Sequence, residues 1–253
     1  MSRVWVGIKR AWKIIWFALG CIVLTVCIFL IWRVSSTGTP DELMVLSKND
    51  DLVKLYTQKG EDTFMFKQKQ DIITRTDYNS GYFSIPEYVF IPDANQLQLV
   101  FRYNNSTLEY VARDKKLPAA LDRNADHFDV SLVFYMDLTP ENLEDNEYID
   151  SENVKAIRCK GHVTGKDQTT LYNFYRYTFF FEESEEPIDI NALMKGNSLI
   201  AIHAQFNYAG DMNVDGVEYP EKPYGALLLY DPAMENIRVE LTSDDIDSLT
   251  AKS

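Results

Sequence analysis

Residues 14–32 (IIWFALGCIVLTVCIFLIW) run for nineteen positions without a charge. As a helix at 1.5 Å per residue this stretch is about 28 Å long, close to the roughly 30 Å hydrocarbon core of a bilayer. It predicts a transmembrane signal-anchor helix over residues 14–33. The anchor separates a basic tail, residues 1–13, from about 220 residues beyond it.

The residues flanking the span give it a direction. Up to Arg33 there are five basic residues, Arg3, Lys9, Arg10, Lys13 and Arg33, and no acidic one. All four tryptophans, Trp5, Trp12, Trp16 and Trp32, also fall here. Trp16 and Trp32 lie about 24 Å apart on a helix, at the depths of an interfacial aromatic belt. Val4, Trp5, Ile8, Ala11, Trp12 and Ile15 share an arc of about 120° on a helical wheel, opposite Arg3, Lys9, Arg10 and Lys13. The tail reads as a basic amphipathic helix at anionic headgroups, with membrane lipid as its partner. Four positive charges precede the span and one follows before Asp41 and Glu42. The positive-inside rule then places the N-terminus in the cytoplasm and the C-terminal domain outside it. The anchor residues are Trp12, Trp16, Trp32, Lys9, Arg10, Lys13 and Arg33.

Three other readings of the span fit less well, and the first, a buried core helix, is disfavoured by the length and the asymmetric flanks. A cleavable signal peptide also begins with basic residues, and Val34-Ser35-Ser36 is a tolerable cleavage site. Its apolar core, however, is about 7–15 residues long. Cutting before Cys21, as for a lipoprotein, would leave an apolar remnant on the mature end.

Beyond Arg33 the chain carries a net charge of −18. That sign argues against nucleic acid as a partner, because phosphate backbones demand the opposite charge. Cys21 and Cys27 lie in the apolar stretch and Cys159 stands alone after it, so the large part cannot close an internal disulfide. This cysteine usage points to a bacterial cell envelope rather than a disulfide-rich secreted domain.

Residues 34–62 read as a linker followed by short membrane-proximal helices. Thr39-Pro40-Asp41-Glu42 is a helix start, and Asn49-Asp50-Asp51 interrupts the pattern. From residue 63 to 253 aromatic and β-branched runs alternate with polar residues, the pattern of strands. Strands are expected at 82–91, 97–103, 130–136, 154–164, 171–182, 200–208, 225–231 and 237–241. Pro86 and Pro92 place the first at an edge or a sheet switch. Aromatic residues on both faces of 171–181 place that strand centrally, with both sides covered. Helical turns are expected after Thr139 and over 188–194. The fold class is an N-terminal transmembrane helix followed by a mainly-β domain, an antiparallel β-sandwich or jelly-roll-like arrangement.

The sharpest local motif is Asp211-Met212-Asn213-Val214-Asp215-Gly216, the first half of a calcium loop. Alternate oxygens from Asp211, Asn213 and Asp215 would converge on a hard cation while Gly216 permits the turn. Position twelve is Lys222 where a bidentate Glu belongs, so an acidic strand connection competes with calcium. No other cofactor is indicated. Gly161 to Lys166 (GHVTGK) is one residue short of a phosphate loop, and a hairpin turn at Gly165-Lys166-Asp167 accounts for it better.

Strand phasing puts His162 on an outward face with Arg158, Lys160 and Thr164. It also puts His203 outward on its own strand, and His127 falls in a loop. Cys159 phases inward with Ile157 and Val163 and behaves as a small hydrophobe. There is no G-x-S-x-G, H-E-x-x-H or C-x-x-C, so no catalytic residue is assigned. Asn104 and Asn105 head overlapping glycosylation sequons.

These features describe a single-pass, membrane-anchored extracytoplasmic binding or scaffold module. It would be non-catalytic and engage a protein partner, or a wall or small ligand. A membrane-tethered, carboxylate-dependent hydrolase acting on glycan or peptide is the first alternative. A glycosylated lumenal accessory subunit of a eukaryotic membrane complex is the second.

Overall fold

A computed structural model describes residues 2–60, 66–68, 83–114, 121–145, 147–150, 153–196, 198–209, 213–214, 217–218, 225–230, 239 and 241–251. The chain divides into two units: residues 1–38 with 169–171, and residues 39–168 with 172–253.

The first unit is one helix, α1, from Ser2–Thr37. Its segment Trp12–Thr37 is long and apolar enough to cross a membrane, and none of its most apolar window is buried. The helix runs further than the sequence suggests, since residues 34–37, expected as linker, continue it. Within this extension the hydroxyls bond back to carbonyls of the preceding turn: Ser35 Oγ donates to Ile31 O at 3.0 Å and Thr37 Oγ1 to Arg33 O at 2.8 Å.

The second unit is mainly β and antiparallel throughout. Its strands are β1 (Phe66–Gln68), β2 (Phe83–Ile91), β3 (Gln96–Asn104), β4 (Phe128–Met136), β5 (Lys155–Lys160), β6 (His162–Gln168), β7 (Tyr172–Phe180), β8 (Ala201–Tyr208), β9 (Asn213–Val214), β10 (Val217–Glu218) and β11 (Gly225–Tyr230). Sheet I has the order β1-β2-β3-β7-β6 and sheet II the order β11-β8-β4-β5, while β9 and β10 pair separately. One face of each sheet contributes to a common core. Phe101 of sheet I stacks on Phe206 of sheet II with centroids 4.7 Å apart, Phe83 stacks on Phe206 at 5.9 Å, and Phe128 meets Phe83 edge-on at 5.1 Å. Such pairs add roughly 0.5–1.5 kcal/mol each beyond the area they bury.

Short helices cover the outer face of sheet I. These are α2 (Asp41–Met44), α3 (Asp50–Lys59) and α7 (Ser243–Thr250), while α4 (Asn105–Asp114), α5 (Pro140–Asp145) and α6 (Ile190–Lys195) pack elsewhere. Asn49 caps α3 by accepting from Leu52 N at 3.0 Å. Leu46, Leu52 and Leu55 pack with Val89, Ile91 and Leu249, and Leu43 with Val100 and Phe174. Both faces of β7 are therefore covered, as the aromatic pattern of 171–181 suggests. Arg176 reaches out from that strand and donates to Glu42 O at 3.0 Å and Val45 O at 2.6 Å.

Several expectations need correction. β2 is not an edge strand along its length, because β1 pairs with residues 88–90. Pro86 falls beyond that pairing, at a register shift between Ser84 and Glu87, where its missing donor is tolerated. The expected strand 154–164 is two strands in different sheets, β5 in sheet II and β6 in sheet I, hinged at Gly161. A Cβ at Gly161 would lie 2.7 Å from the Phe179 ring and 2.8 Å from that of Tyr177, so glycine alone lets the chain turn there. After the switch the inward phase is lost, and Val163, expected beside Cys159, is half exposed. Residues 165–167 lie within β6 instead of forming the hairpin turn. The sequons at Asn104 and Asn105 mark the start of α4, where Asn104 Oδ1 accepts Thr107 N at 3.0 Å. The last expected strand, 237–241, lies almost entirely outside the described residues.

Candidate binding groove

Alternation along β4, β8 and β5 sends Phe128, Val130, Leu132, Ile157, Cys159, Ala204 and Phe206 into the core. The intervening residues must then face outward from sheet II. β4 lies between β8 and β5, and the registers set Ser131 opposite both Gln205 and Lys160. Polar residues from three strands that are distant in sequence thus share one face.

At one end of this face α5 and the turn Glu147–Asp150 form an apolar cover. Tyr148 packs there with Val133, Tyr135, Leu138 and Ala201. His203 is consequently buried, at 3 % exposure, and shares a hydrogen bond of 2.7 Å with the Tyr148 hydroxyl. The outward phase of His203 is correct for the strand, but the covering turn removes it from solvent.

At the other end a groove of about 600 Å³ opens over Ser131 and Asn207. Arg158 and Lys160, two apart on β5, project beside it, and His162 follows just past the sheet switch. Glu183 and Glu185, after β7, and Asp129 on β4 supply carboxylates. His162 Nε2 lies 2.5 Å from Glu183 Oε2, and Glu185 Oε2 accepts Arg158 N at 3.3 Å. The shared face of Arg158, Lys160 and His162 thus becomes a groove wall, despite the change of sheet between Lys160 and His162. The Ser131 hydroxyl and the Gln205 Oε1 are buried with no hydrogen-bond partner among the described residues.

A second polar cluster is internally satisfied. The Tyr103 and Tyr175 hydroxyls are 3.2 Å apart, their rings stack at 5.8 Å, and Lys166 Nζ sits 2.5 Å from Asp126 Oδ1. Burial raises the pKa of both tyrosines, so they act as neutral hydrogen-bonding groups. The Lys166 hydrogen bond, with a further one from Tyr175, holds the Asp126 carboxyl below its ordinary value. The cluster ties β6 to the segment before β4. His127 is buried nearby, with Nε2 2.5 Å from Asp122 O. Cys159 is in the core, and burial pushes its thiol up to about 11.

Asp211 and Asp215 lie outside the described residues, and Asn213 is described only as backbone of β9, where Val214 pairs with Val217 of β10. No group of three or more His, Cys, Asp or Glu poised for a metal occurs among the described residues. Of the anchor residues, Trp12, Lys13, Trp16, Trp32 and Arg33 are exposed along α1, and the Trp12 and Trp16 rings meet edge-on at 6.3 Å. Lys9 and Arg10 belong to the same helix, with side chains outside the described residues. Glu183 and Glu185 belong to the acidic run 182–186, which the sequence alone reads as a solvated face or a gatherer of cations or a basic partner. Asp129, Ser131 and Asn207 carry no site signal of their own. Their polar alternation is visible in the strands, but the adjacency of those strands is not. Comparison with known protein families, curated proteins and solved structures found no match to this chain.

Proposed function

We propose that the chain is a single-pass membrane protein of a bacterial cell envelope, with its N-terminus in the cytoplasm. Its extracytoplasmic domain, a two-layered β-sandwich, binds a ligand or partner without catalysing a reaction on it. The observation that carries this reading is the exposed apolar surface of α1. Within a protein core such a helix would be covered by other elements. In water its bare side chains would each forfeit about 1.5–3 kcal/mol of burial, and a bilayer supplies the missing cover.

Two experiments test this reading. Alkaline carbonate washing should leave the full-length chain in the membrane pellet, and protease added outside intact cells stripped of their wall should remove the large unit. Release by carbonate, or protection from external protease, refutes the anchor or its direction. Crosslinking in native membranes should then recover a specific partner or ligand, and recovery of nothing above background counts against the binding role.

The three carboxylates at the groove favour a second reading, a membrane-tethered, carboxylate-dependent hydrolase. Against it, Glu183 is engaged by His162 and Glu185 by the Arg158 amide. Turnover of glycan or peptide that is abolished by Glu183→Gln or Glu185→Gln would establish it.

A further inference from the structure

The groove on sheet II combines features that the fold itself does not use. Its volume of about 600 Å³ falls within the range of small-molecule sites. The Arg158 guanidinium and the Lys160 ammonium have no ion-pair partner among the described residues. Ser131, which faces Lys160 across the β4–β5 pairing, is only 8 % exposed, and its hydroxyl has no hydrogen-bond partner among the described residues. Gln205 Oε1, from the residue facing Ser131 on β8, is buried and equally unpartnered. Ser131 lines the groove and Gln205 pairs beside it; buried polar atoms are nearly always paired, so the unpaired Ser131 hydroxyl marks a place where a bound molecule completes the bonding.

The charges select the class of molecule. A simple anion attracted to Arg158 and Lys160 would meet Asp129, Glu183 and Glu185 in the same groove, inside a domain of strongly negative charge. A simple cation would meet Arg158 and Lys160. Among the described lining residues there is no Phe, Tyr or Trp on which a sugar ring could stack. A ligand with both signs of charge satisfies both walls.

We propose that this groove binds a small zwitterion of amino-acid or short-peptide type. Arg158 and Lys160 hold its carboxylate, the groove carboxylates hold its ammonium, and the Ser131 hydroxyl bonds to the bound group. Guanidinium and carboxylate make charge-assisted hydrogen bonds, the strong kind available at a partly open face. The inference rests on the domain being a binding module and names its ligand class.

The test uses the full-length chain in detergent micelles, titrated calorimetrically with L-alanyl-L-alanine, its N-acetyl derivative, its C-terminal amide and inorganic phosphate. The free dipeptide should bind saturably, and blocking either end should weaken it by about tenfold or more. In Arg158→Gln/Lys160→Gln the free dipeptide and its amide should bind equally. In Glu185→Gln the free and N-acetylated forms should converge. All three positions are exposed, and unchanged thermal melts would show that the variants fold. Phosphate binding as tightly as the dipeptide, blocked peptides binding as well as the free one, or no saturable signal up to about 10 mM would each overturn the proposal. If that flat titration accompanies a crosslinked partner that Arg158→Gln/Lys160→Gln abolishes, the ligand class alone falls. If no partner is found either, the binding-module reading falls with it.

Discussion

Asp245→Ala should destabilise the β domain far more than a surface change in an eight-residue terminal helix would suggest. Asp245 occupies the third position of α7 and is only 4 % exposed. Its Oδ2 accepts Thr242 N at 3.1 Å and the Thr242 hydroxyl at 2.7 Å, closing a capping box. Its Oδ1 accepts Leu46 N at 2.9 Å, across 199 residues of sequence. Loss of the carboxylate's bonds to the Thr242 amide and hydroxyl costs about 1 kcal/mol. The Leu46 amide, left buried and unpaired, costs about 1–3 kcal/mol more. A sum near 3 kcal/mol corresponds to a fall in Tm of roughly 6–12 °C for a domain of this size. The control is Asp244→Ala in the same first turn, where an exposed carboxylate interacts only with the helix dipole, at about 0.3–1 kcal/mol. Melting in the β-sheet circular dichroism band, with hydrogen exchange at Leu46, reads both effects. A Tm shift no larger than that of the control, with the Leu46 amide still protected, would refute the claim that α7 clamps the 45–49 segment to sheet I.

Other perturbations test other parts of the structure. Gly161→Ala should shift the urea midpoint by the equivalent of about 1–3 kcal/mol, because its Cβ meets the buried rings of Phe179 and Tyr177 below 3 Å; an unchanged midpoint would mean the switch has room to spare. Cys159, with its thiol pushed up to about 11 by burial, should resist thiol reagents at pH 8 until the domain unfolds; rapid native labelling in a Cys21→Ser/Cys27→Ser background would contradict its core placement. Because Lys166 holds the folded Asp126 pKa low, the stability it contributes is present above about pH 4 and lost as pH falls through the folded value. Asp126→Asn should therefore narrow its stability difference from wild type in acid, and a difference independent of pH would show that the Lys166 contact is not electrostatic. A chelator and millimolar calcium should give the same melting temperature, since Lys222 stands where calcium needs a carboxylate; a rise in calcium would revive the site at Asp211, Asn213 and Asp215.

Strands β2, β3, β4, β7, β8 and β11 were legible because period-2 alternation is a local signal that tertiary packing reinforces. Helices α2 and α3 were legible from Pro40 and Asn49. α4 and α7 were missed, although Asn104 and Thr242 followed by Asp245 are both capping signals that precede apolar spacing. The switch at Gly161 was hidden for a different reason. Alternation continues smoothly through Cys159, and only the rings of Tyr177 and Phe179, from another strand, explain why glycine stands there. The groove was hidden for the same reason, since β4 meets β8 and β5 through pairings that no local pattern encodes.

How the outward faces are finished separates scaffold from site. On sheet I, Gln98 bonds both the amide and the carbonyl of Ser47, and Asn49 bonds Gln96 at 2.9 Å. On sheet II the apolar half is equally closed, with His203 bonded to Tyr148. The remaining part around Ser131 behaves like neither a solvated surface nor a packed one. A solvated surface would leave Ser131 and Gln205 in contact with water, and a packed one would give their oxygens partners. Leaving either oxygen buried and unbonded costs about 1–3 kcal/mol. One change of side chain, Ser131→Ala, removes the unpaired hydroxyl. That substitution should stabilise the unliganded domain and weaken dipeptide binding together, whereas a purely structural hydroxyl would move stability alone.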